Sequence, residues 1–198
     1  MNQVAIQRKS THRTVQLYTH EDRSFKLVVV SDTHSALHPS SKKIIAALHP
    51  DALLHAGDIG DRNVLDELGT ICPVYAVCGN IDERNNDLPE TMILDIISIE
   101  TSMLKIFASH IGVYGSKLRA EVARTARAQG AQLVICGHSH VPFIGNDRGI
   151  IVFNPGSIGP RRNGLPVVFG VLTLCENDYR LHHIDCETGQ KWVPPRFR

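Results

Sequence analysis

Short apolar runs alternate with amphipathic segments in the first half of the chain. The runs lack polar alternation and are rich in aliphatic side chains, which is typical of strands buried on both faces. They are residues 25–30, 52–56 and 73–78. Residues 42–49 and a segment opened by Asp61 predict helices between them, ending at Pro50 and Gly69. The pattern predicts a strand–helix–strand–helix–strand unit with parallel strands and right-handed crossovers.

The second half of the chain predicts more strands and one further helix. Residues 92–100 and 103–109 predict a strand pair, and residues 116–129 predict a helix that begins at Ser116. A buried strand at 132–137 and several short strands separated by turn residues follow. Because helices dominate early and strands late, we expect an α/β fold (an α+β sandwich) of two packed sheets with helices outside.

Length and composition favour one globular, soluble domain. The chain has 198 residues, 42% of them hydrophobic, and we expect residues 1–24 to be an N-terminal extension and 25–198 a single domain. Lys and Arg number 21 against 20 Asp and Glu, so the charge balance gives no support for nucleic-acid binding. Five cysteines without a CxxC pair indicate a reducing, cytoplasmic setting. Since no apolar run approaches ~18 residues, we expect no membrane contact.

Polar donors occur where the predicted strands end. Seven carboxylate, carboxamide and imidazole side chains take these positions: Asp32, His34, Asp58, Asn80, His110, His138 and His140. In an open α/β sheet the crevice beyond the carboxyl ends of the strands is where sites are built. The sequence therefore predicts that these side chains converge at one edge.

The donor types predict a metal site with two ions. No cysteine is among them, which disfavours structural zinc, and carboxylate with imidazole suits Mn, Fe, Zn or Ni. Seven donors exceed what one tetrahedral ion needs and suit two ions ~3.5–4 Å apart, bridged by one carboxylate. Asp58 is the bridging candidate because it is central in the order and follows Gly57, which permits close backbone approach.

The motifs resemble those of the calcineurin-like metallophosphoesterases. They are Asp32-x-His34, Gly57-Asp58, Gly79-Asn80-Ile81-Asp82, His110 and Gly137-His138-Ser139-His140. The compact length and Asn154-Pro155-Gly156-Ser157 are similar to the small prokaryotic phosphodiesterase branch. The resemblance covers roughly residues 26–185 and implies a four-layer αββα fold, with two facing mixed β-sheets flanked by helices.

The resemblance also implies roles for individual residues. It implies that one ion is held by Asp32, His34, Asp58 and His140, and the second by Asp58, Asn80, His110 and His138. Asn80 and His138 are the expected catalytic donors to the phosphoryl oxygens. Apart from the resemblance, Asn80 and Arg161 are the expected substrate contacts, and Arg162, also just past the Gly-Ser turn, is a second candidate. Asp82, Asn154 and Ser157 are expected to support the ligands, with a plain turn as the alternative for residues 154–157.

Two departures from the family pattern concern the substrate and the setting of the ligand His110. Most members carry His where this chain has Ile81, and His-Gly-His where it has His110-Ile111-Gly112. General acid catalysis is worth ~10²–10⁴-fold, so without a histidine at position 81 poor leaving groups should react slowly. This favours phosphodiesters and other activated esters over alkyl monoesters.

We therefore expect a dinuclear-metal-dependent phosphodiesterase in which a metal-bridging hydroxide attacks phosphorus in line. The expected cofactors are two divalent ions, Mn first, with Ni, Fe or Zn as alternatives. The expected partner is a small phosphoester, and a homo-oligomer stays open. The alternatives are a non-catalytic protein-binding scaffold of the same fold, as in the retromer subunit, and a phosphomonoesterase or protein phosphatase.

Overall fold

The computed structural model describes residues 12–82, 87–162, 164–176 and 178–194. Within these ranges the chain forms fourteen strands, three α-helices and one 3-10 turn at Asn80–Asp82. The strands are β1 (His12–Tyr18), β2 (Phe25–Val30), β3 (Ala52–His55), β4 (Val74–Ala76), β5 (Thr91–Ser98), β6 (Thr101–Ser109), β7 (Val113–Tyr114), β8 (Lys117–Leu118), β9 (Leu133–Ile135), β10 (Phe143–Asp147), β11 (Ile150–Asn154), β12 (Val168–Cys175), β13 (Asp178–Asp185) and β14 (Lys191–Trp192). The helices are α1 (Ser41–Ala47), α2 (Asn63–Gly69) and α3 (Ala120–Ala128).

The strands form two six-stranded mixed sheets and one small hairpin. The first sheet has the order β1-β5-β6-β9-β11-β10, the second has the order β14-β13-β12-β2-β3-β4, and β7 pairs with β8. Each large sheet contains three adjacent parallel strands: β6, β9 and β11 in the first, and β2, β3 and β4 in the second. The carboxyl ends of each parallel set therefore point in one direction.

The two sheets face one another across the main core. Buried side chains such as Leu54 in β3 and Leu94 in β5 fill the space between them. Ile45 of α1 and Leu68 of α2 pack on the outer face of the second sheet, and Val122 of α3 packs on the outer face of the first. This arrangement confirms the predicted four-layer αββα sandwich. Within the described ranges, no helix is long and apolar enough to span a membrane.

The first strand begins earlier than expected. Part of the expected N-terminal extension forms an edge strand, since β1 pairs in parallel with β5 from His12 opposite Thr91 to Tyr18 opposite Ile97. β1 is an edge strand, and Leu17 is its one fully buried side chain. An edge strand with so little buried surface carries almost no apolar signal in its sequence.

The third helix begins later than expected, at Ala120 rather than Ser116. Residues 113–118 form the β7–β8 hairpin instead, with Gly115 in its turn at φ +61°. Two-residue hairpin turns need such positive φ angles, which glycine adopts readily. Arg119 is still extended, at φ −60° and ψ 141°, so the helix can start only after it.

Removing an apolar side chain from the space between the sheets tests this packing. Leu94→Ala should lower the free energy of unfolding by about 2–5 kcal/mol, because it removes apolar contacts and leaves a cavity. Ile144→Ala, on an edge strand and 48% exposed, should change it by no more than about 0.5 kcal/mol. Urea unfolding of both variants measures the difference. Equal stabilities would contradict the position of Leu94 between two facing sheets.

Candidate metal centre

Six strand ends from both sheets open onto one edge of the sandwich. The loops after β2, β3, β6 and β9 carry the candidate carboxylates and imidazoles: Asp32, His34, Asp58, His110, His138 and His140. Backbone hydrogen bonds join these loops. The N–H of Asp32 donates to the carbonyl of Gly57, and the N–H of Gly137 donates to that of His110, each at 3.0 Å. The loops are therefore fixed relative to one another.

The first group consists of Asp32, His34 and His140, with one ligand atom of each within 4.8 Å of the others. The Nε2 atom of His140 lies 3.3 Å from Oδ1 of Asp32 and 3.4 Å from Nε2 of His34. The two imidazole rings stack, with centroids 5.2 Å apart. Three candidate donor atoms thus face a common point.

The second group consists of Asp58, His110 and His138 on the same 4.8 Å criterion. The Nε2 atom of His110 lies 3.3 Å from Oδ1 of Asp58, and the rings of His110 and His138 meet edge to face. The other carboxylate oxygen of Asp58 lies 3.7 Å from Nε2 of His34 in the first group. Asp58 therefore stands between the two groups, where a bridging carboxylate would have to lie.

Several atoms of these groups are buried without a hydrogen bond. Within the described part of the chain, Oδ1 of Asp32, Nε2 of His110 and Nδ1 of His140 make none. The Nδ1 atom of His110 lies 2.8 Å from the carbonyl oxygen of Ala56 and so donates to it. In the neutral form of the ring, the lone pair of Nε2 therefore faces the carboxylate of Asp58. Lone pairs that face one another repel unless a cation lies between them. This donor set fits a divalent ion of the Mn, Fe, Ni or Zn type.

The imidazoles of the first group are poor bases in this setting. Burial and the nearby Arg162 guanidinium act in the same direction and lower the pKa of His140 to about 4. Burial also lowers the pKa of His34 below its ordinary value. Both rings are therefore neutral near pH 7 and keep a lone pair available for a metal.

The carboxylates differ in how strongly they hold their charge. Burial raises the pKa of Asp32 to about 6. Burial also raises the pKa of Asp58, but the adjacent His110 outweighs it and holds that pKa well below its usual range. In turn, burial lowers the pKa of His110, but Asp58 and Asp32 outweigh that effect and raise it overall. Negative charge is thus concentrated at Asp58, between the two groups.

The backbone at these residues is strained. Five of the six residues adopt positive φ angles between 45° and 67°: Asp32, His34, Asp58, His138 and His140. Such angles are uncommon for residues other than glycine, and each costs on the order of 1–3 kcal/mol. Strain of this kind persists only where the surrounding structure fixes it, and it concentrates at functional sites.

Two glycines allow the loops to approach closely. A Cβ atom at Gly137 would lie 2.7 Å from Oδ2 of Asp32 and closer still to the Ser31 hydroxyl. A Cβ atom at Gly79 would lie 2.9 Å from Cα of Asp58 and collide with its backbone nitrogen. The residues preceding His138 and Asn80 therefore lack a side chain because the neighbouring ligand loop occupies that space.

Asp82 links two of the loops through backbone hydrogen bonds. Its carboxylate is buried and accepts the backbone N–H groups of Ile59, Gly60 and Gly79 at 2.8–3.1 Å. Within the 3-10 turn, the N–H of Ile81 donates to Oδ1 of Asp58 at 3.2 Å. The Asn80 side chain is exposed at the start of this turn, beside Asp58.

Asn154 and Ser157 hold the backbone of the other two ligand loops. The Asn154 amide donates to the carbonyl of Gly137 at 2.8 Å, and its Oδ1 accepts the N–H of Gly156 at 2.9 Å. The Ser157 hydroxyl donates to the carbonyl of Asp32 at 2.8 Å. The segment is therefore both a turn and a support for the loops that carry Asp32 and His138.

The two adjacent arginines after this segment differ in their contacts. Arg161 forms an ion pair with Glu187, whereas Nη2 of Arg162 lies 3.1 Å from Nε2 of His34. The substrate contact expected from sequence was Arg161, with its neighbour Arg162 as a second candidate. No periodicity distinguishes neighbouring residues in a loop, so the sequence carried no signal for choosing between them.

His55 and Thr33 lie behind the site and support the ligand loops, a role that the sequence did not predict. The His55 ring is fully buried, and burial lowers its pKa to about 3. Its Nδ1 atom accepts the N–H of Gly57, so Nε2–H donates to the Thr33 hydroxyl at 3.0 Å. Thr33 in turn donates to the carbonyl of Ile59 at 2.9 Å. The sequence offered one indication of this hydrogen-bonded chain, namely a histidine inside an otherwise apolar strand.

Comparison with known proteins now places the chain in a family. The calcineurin-like phosphoesterase superfamily domain matches residues 25–177, and the chain belongs to this superfamily. This confirms the resemblance carried by the motifs. β1 lies outside the matched range.

Two curated relatives come from Methanocaldococcus jannaschii. A probable metallophosphoesterase is 34% identical over 134 residues, which is 65% of this chain and 66% of that protein, just under two thirds. A phosphodiesterase is 28% identical over 167 residues, covering 78% of this chain and 96% of that protein. Both are small proteins named for phosphoester chemistry.

A solved structure shows the same fold. Vacuolar Protein Sorting 29 from Cryptosporidium parvum superimposes with a TM-score of 0.68 at 18% identity, covering 87% of this chain and 97% of that one. At this identity the likeness concerns the fold alone.

Adding one methyl group at Gly137 tests whether the close loop packing is needed for metal binding. Gly137→Ala should weaken Mn²⁺ binding by about 10–100-fold, the usual effect of disturbing residues that orient ligands, because the added Cβ displaces Asp32. Gly69→Ala is the matched control, since nothing lies within 4 Å of a Cβ there. Calorimetric titration with Mn²⁺ measures both. Equal affinities in the two variants would contradict this account of the loops.

Proposed function

We propose that the chain is a phosphodiesterase that depends on two divalent metal ions. Asp32, His34, Asp58 and His140 would hold one ion, and Asp58, Asn80, His110 and His138 the other. The observation that carries the proposal is the arrangement of six carboxylate and imidazole side chains in two groups joined through Asp58, with three of their atoms buried and without a hydrogen bond in the described part of the chain. Bound there, two ions would act as Lewis acids toward the phosphoryl oxygens and activate a water, and Mn is the first candidate.

The side chains at the rim suit contact with a phosphoester. Asn80 and His138 are exposed, so that they can reach the substrate while their backbones are fixed by neighbouring loops. Donors fixed in this way stabilise the charge that develops on phosphoryl oxygens without reorganising during the reaction. We assign them the catalytic role of holding these oxygens.

The leaving group sets the substrate class. Ile81 is 49% exposed beside Asp58 and has no proton to donate. Because the family's usual histidine is missing there, a departing oxygen of high basicity loses the ~10²–10⁴-fold contribution of a general acid. Diesters with stable leaving groups depend least on that contribution. This supports phosphodiesters over alkyl monoesters.

Arg162 is best explained by an anionic substrate. Two divalent ions bring four positive charges beside the two carboxylates of Asp32 and Asp58, so a third cation at His34 is repelled. A phosphate between the ions and the guanidinium removes this repulsion. Guanidinium groups bind phosphate oxygens in a bidentate manner. We therefore assign Arg162, at 3.1 Å from His34, to a non-bridging phosphate oxygen, with Arg161 as the alternative.

A protein-binding scaffold is the second candidate, favoured by the fold shared with Vacuolar Protein Sorting 29. A scaffold does not need metal donors that are strained and unpaired, whereas all seven positions here carry side chains able to bind a metal. A phosphomonoesterase or protein phosphatase is the third candidate, and Ile81 argues against it. The experiments below separate the three.

Hydrolysis of a chromogenic diester tests the proposal. The protein loaded with Mn²⁺ should hydrolyse bis(p-nitrophenyl) phosphate faster than p-nitrophenyl phosphate, and a chelator should remove the activity. Asp58→Asn should reduce turnover at least 100-fold and leave fewer than two ions bound, because the two ions lose their shared carboxylate. Asp66→Asn, on the exposed side of α2, is the control. Two bound ions and normal turnover in Asp58→Asn would refute the bridging role.

Comparing the two arginines tests the phosphate contact. Arg162→Ala should weaken inhibition by inorganic phosphate about 10–100-fold, the equivalent of one charged hydrogen bond of about 1.5–3 kcal/mol. Arg161→Ala should change it less than threefold, and both variants should keep their metal content. A larger loss in Arg161→Ala would transfer the contact to that residue, and no loss in either would remove arginine from the site.

A further inference from the structure

A groove of about 900 Å³ opens beside the second group of candidate ligands. His138 and its neighbours Gly137 and Ser139 form one wall. The rest of the lining is largely apolar and comes from parts of the chain distant in sequence. It includes Val113 and Tyr114 of the β7–β8 hairpin, Val141 just before β10, and Phe143 at the start of β10.

We infer that this groove binds a planar aromatic ring carried by one ester arm of the substrate, with Tyr114 as the side chain that contacts the ring. The inference rests on the proposed function, since it places phosphorus at the metal centre. His138 belongs both to the second group and to the groove wall. An ester arm leaving the phosphorus on that side therefore enters the groove directly.

The exposed side chains of the groove match an apolar, flat occupant. Tyr114 is 88% exposed and Val141 is 45% exposed, although both border a site that is otherwise built from buried polar groups. Tyrosine offers a large, rigid, amphipathic face at a small entropic cost. Offset stacking on such a face favours a planar ring over an alkyl chain of equal size.

The charges around the groove exclude a second phosphate as its occupant. Arg119 is the cation in the lining, and its guanidinium is already paired with Glu121 at 3.1 Å. The guanidinium next to the centre is that of Arg162, which contacts His34 in the first group, whereas the groove lies beside the second group. The site is thus polarised, with an anion contact on one side and an apolar slot on the other.

Binding of phosphonates to the Mn²⁺-loaded protein tests the inference without turnover. Phenylphosphonate should bind about tenfold more tightly than cyclohexylphosphonate and methylphosphonate, which share its charge but not its planar ring. Tyr114→Ala should abolish this preference and leave methylphosphonate binding unchanged. Tyr114→Phe should keep the preference. Tyr18→Ala, also exposed but on β1, is the control.

Uridine 5′-monophosphate carries its ring one ribose away from phosphorus. Its binding to the wild-type protein and to Tyr114→Ala shows whether the groove suits a nucleotide arm or a simple aryl arm. If methylphosphonate binds but neither ring-bearing ligand gains affinity from Tyr114, the groove inference is overturned and the proposed function stands. If no phosphonate binds to the metal-loaded protein, the proposed function is overturned, and the inference with it.

Discussion

Carboxylate and imidazole ligand atoms are crowded together where six strand ends meet, and the surrounding structure is arranged to hold them there. Nε2 of His110 faces Oδ1 of Asp58, and Nε2 of His140 faces Oδ1 of Asp32, each pair at 3.3 Å. Burial removes the water that would otherwise solvate these atoms. Such an arrangement is favourable when a cation lies between the donors, which is why we regard the two groups as one metal centre.

The fold supplies what this centre needs. Three parallel strands in each sheet deliver their loops to the same edge, and the apolar core between the sheets holds the strands in place. The strained loop residues are fixed by polar side chains outside the two groups of candidate ligands. Asp82, Asn154 and Ser157 each bind the backbone of a ligand loop. The loops are thus held mainly through their backbone.

The sequence predicted the parts of this account that rest on strong local patterns. The runs before Asp32, Asp58 and His138 are continuous and apolar, so their strand ends, and the donors that follow them, could be located. The edge strand β1 escaped prediction because it buries little, and the late start of α3 escaped because the β7–β8 hairpin depends on turn geometry. Contacts between distant loops left no local pattern. The choice of Arg162 and the groove at Tyr114 are of this kind.

In the proposed centre a single carboxylate, Asp58, joins two metal positions. Anomalous diffraction from crystals of the Mn²⁺-loaded protein can locate both. The account predicts two anomalous peaks ~3.5–4 Å apart, one next to Asp32, His34 and His140, the other next to His110 and His138, with Asp58 contacting both. A single peak, or two peaks that do not share Asp58, would contradict it.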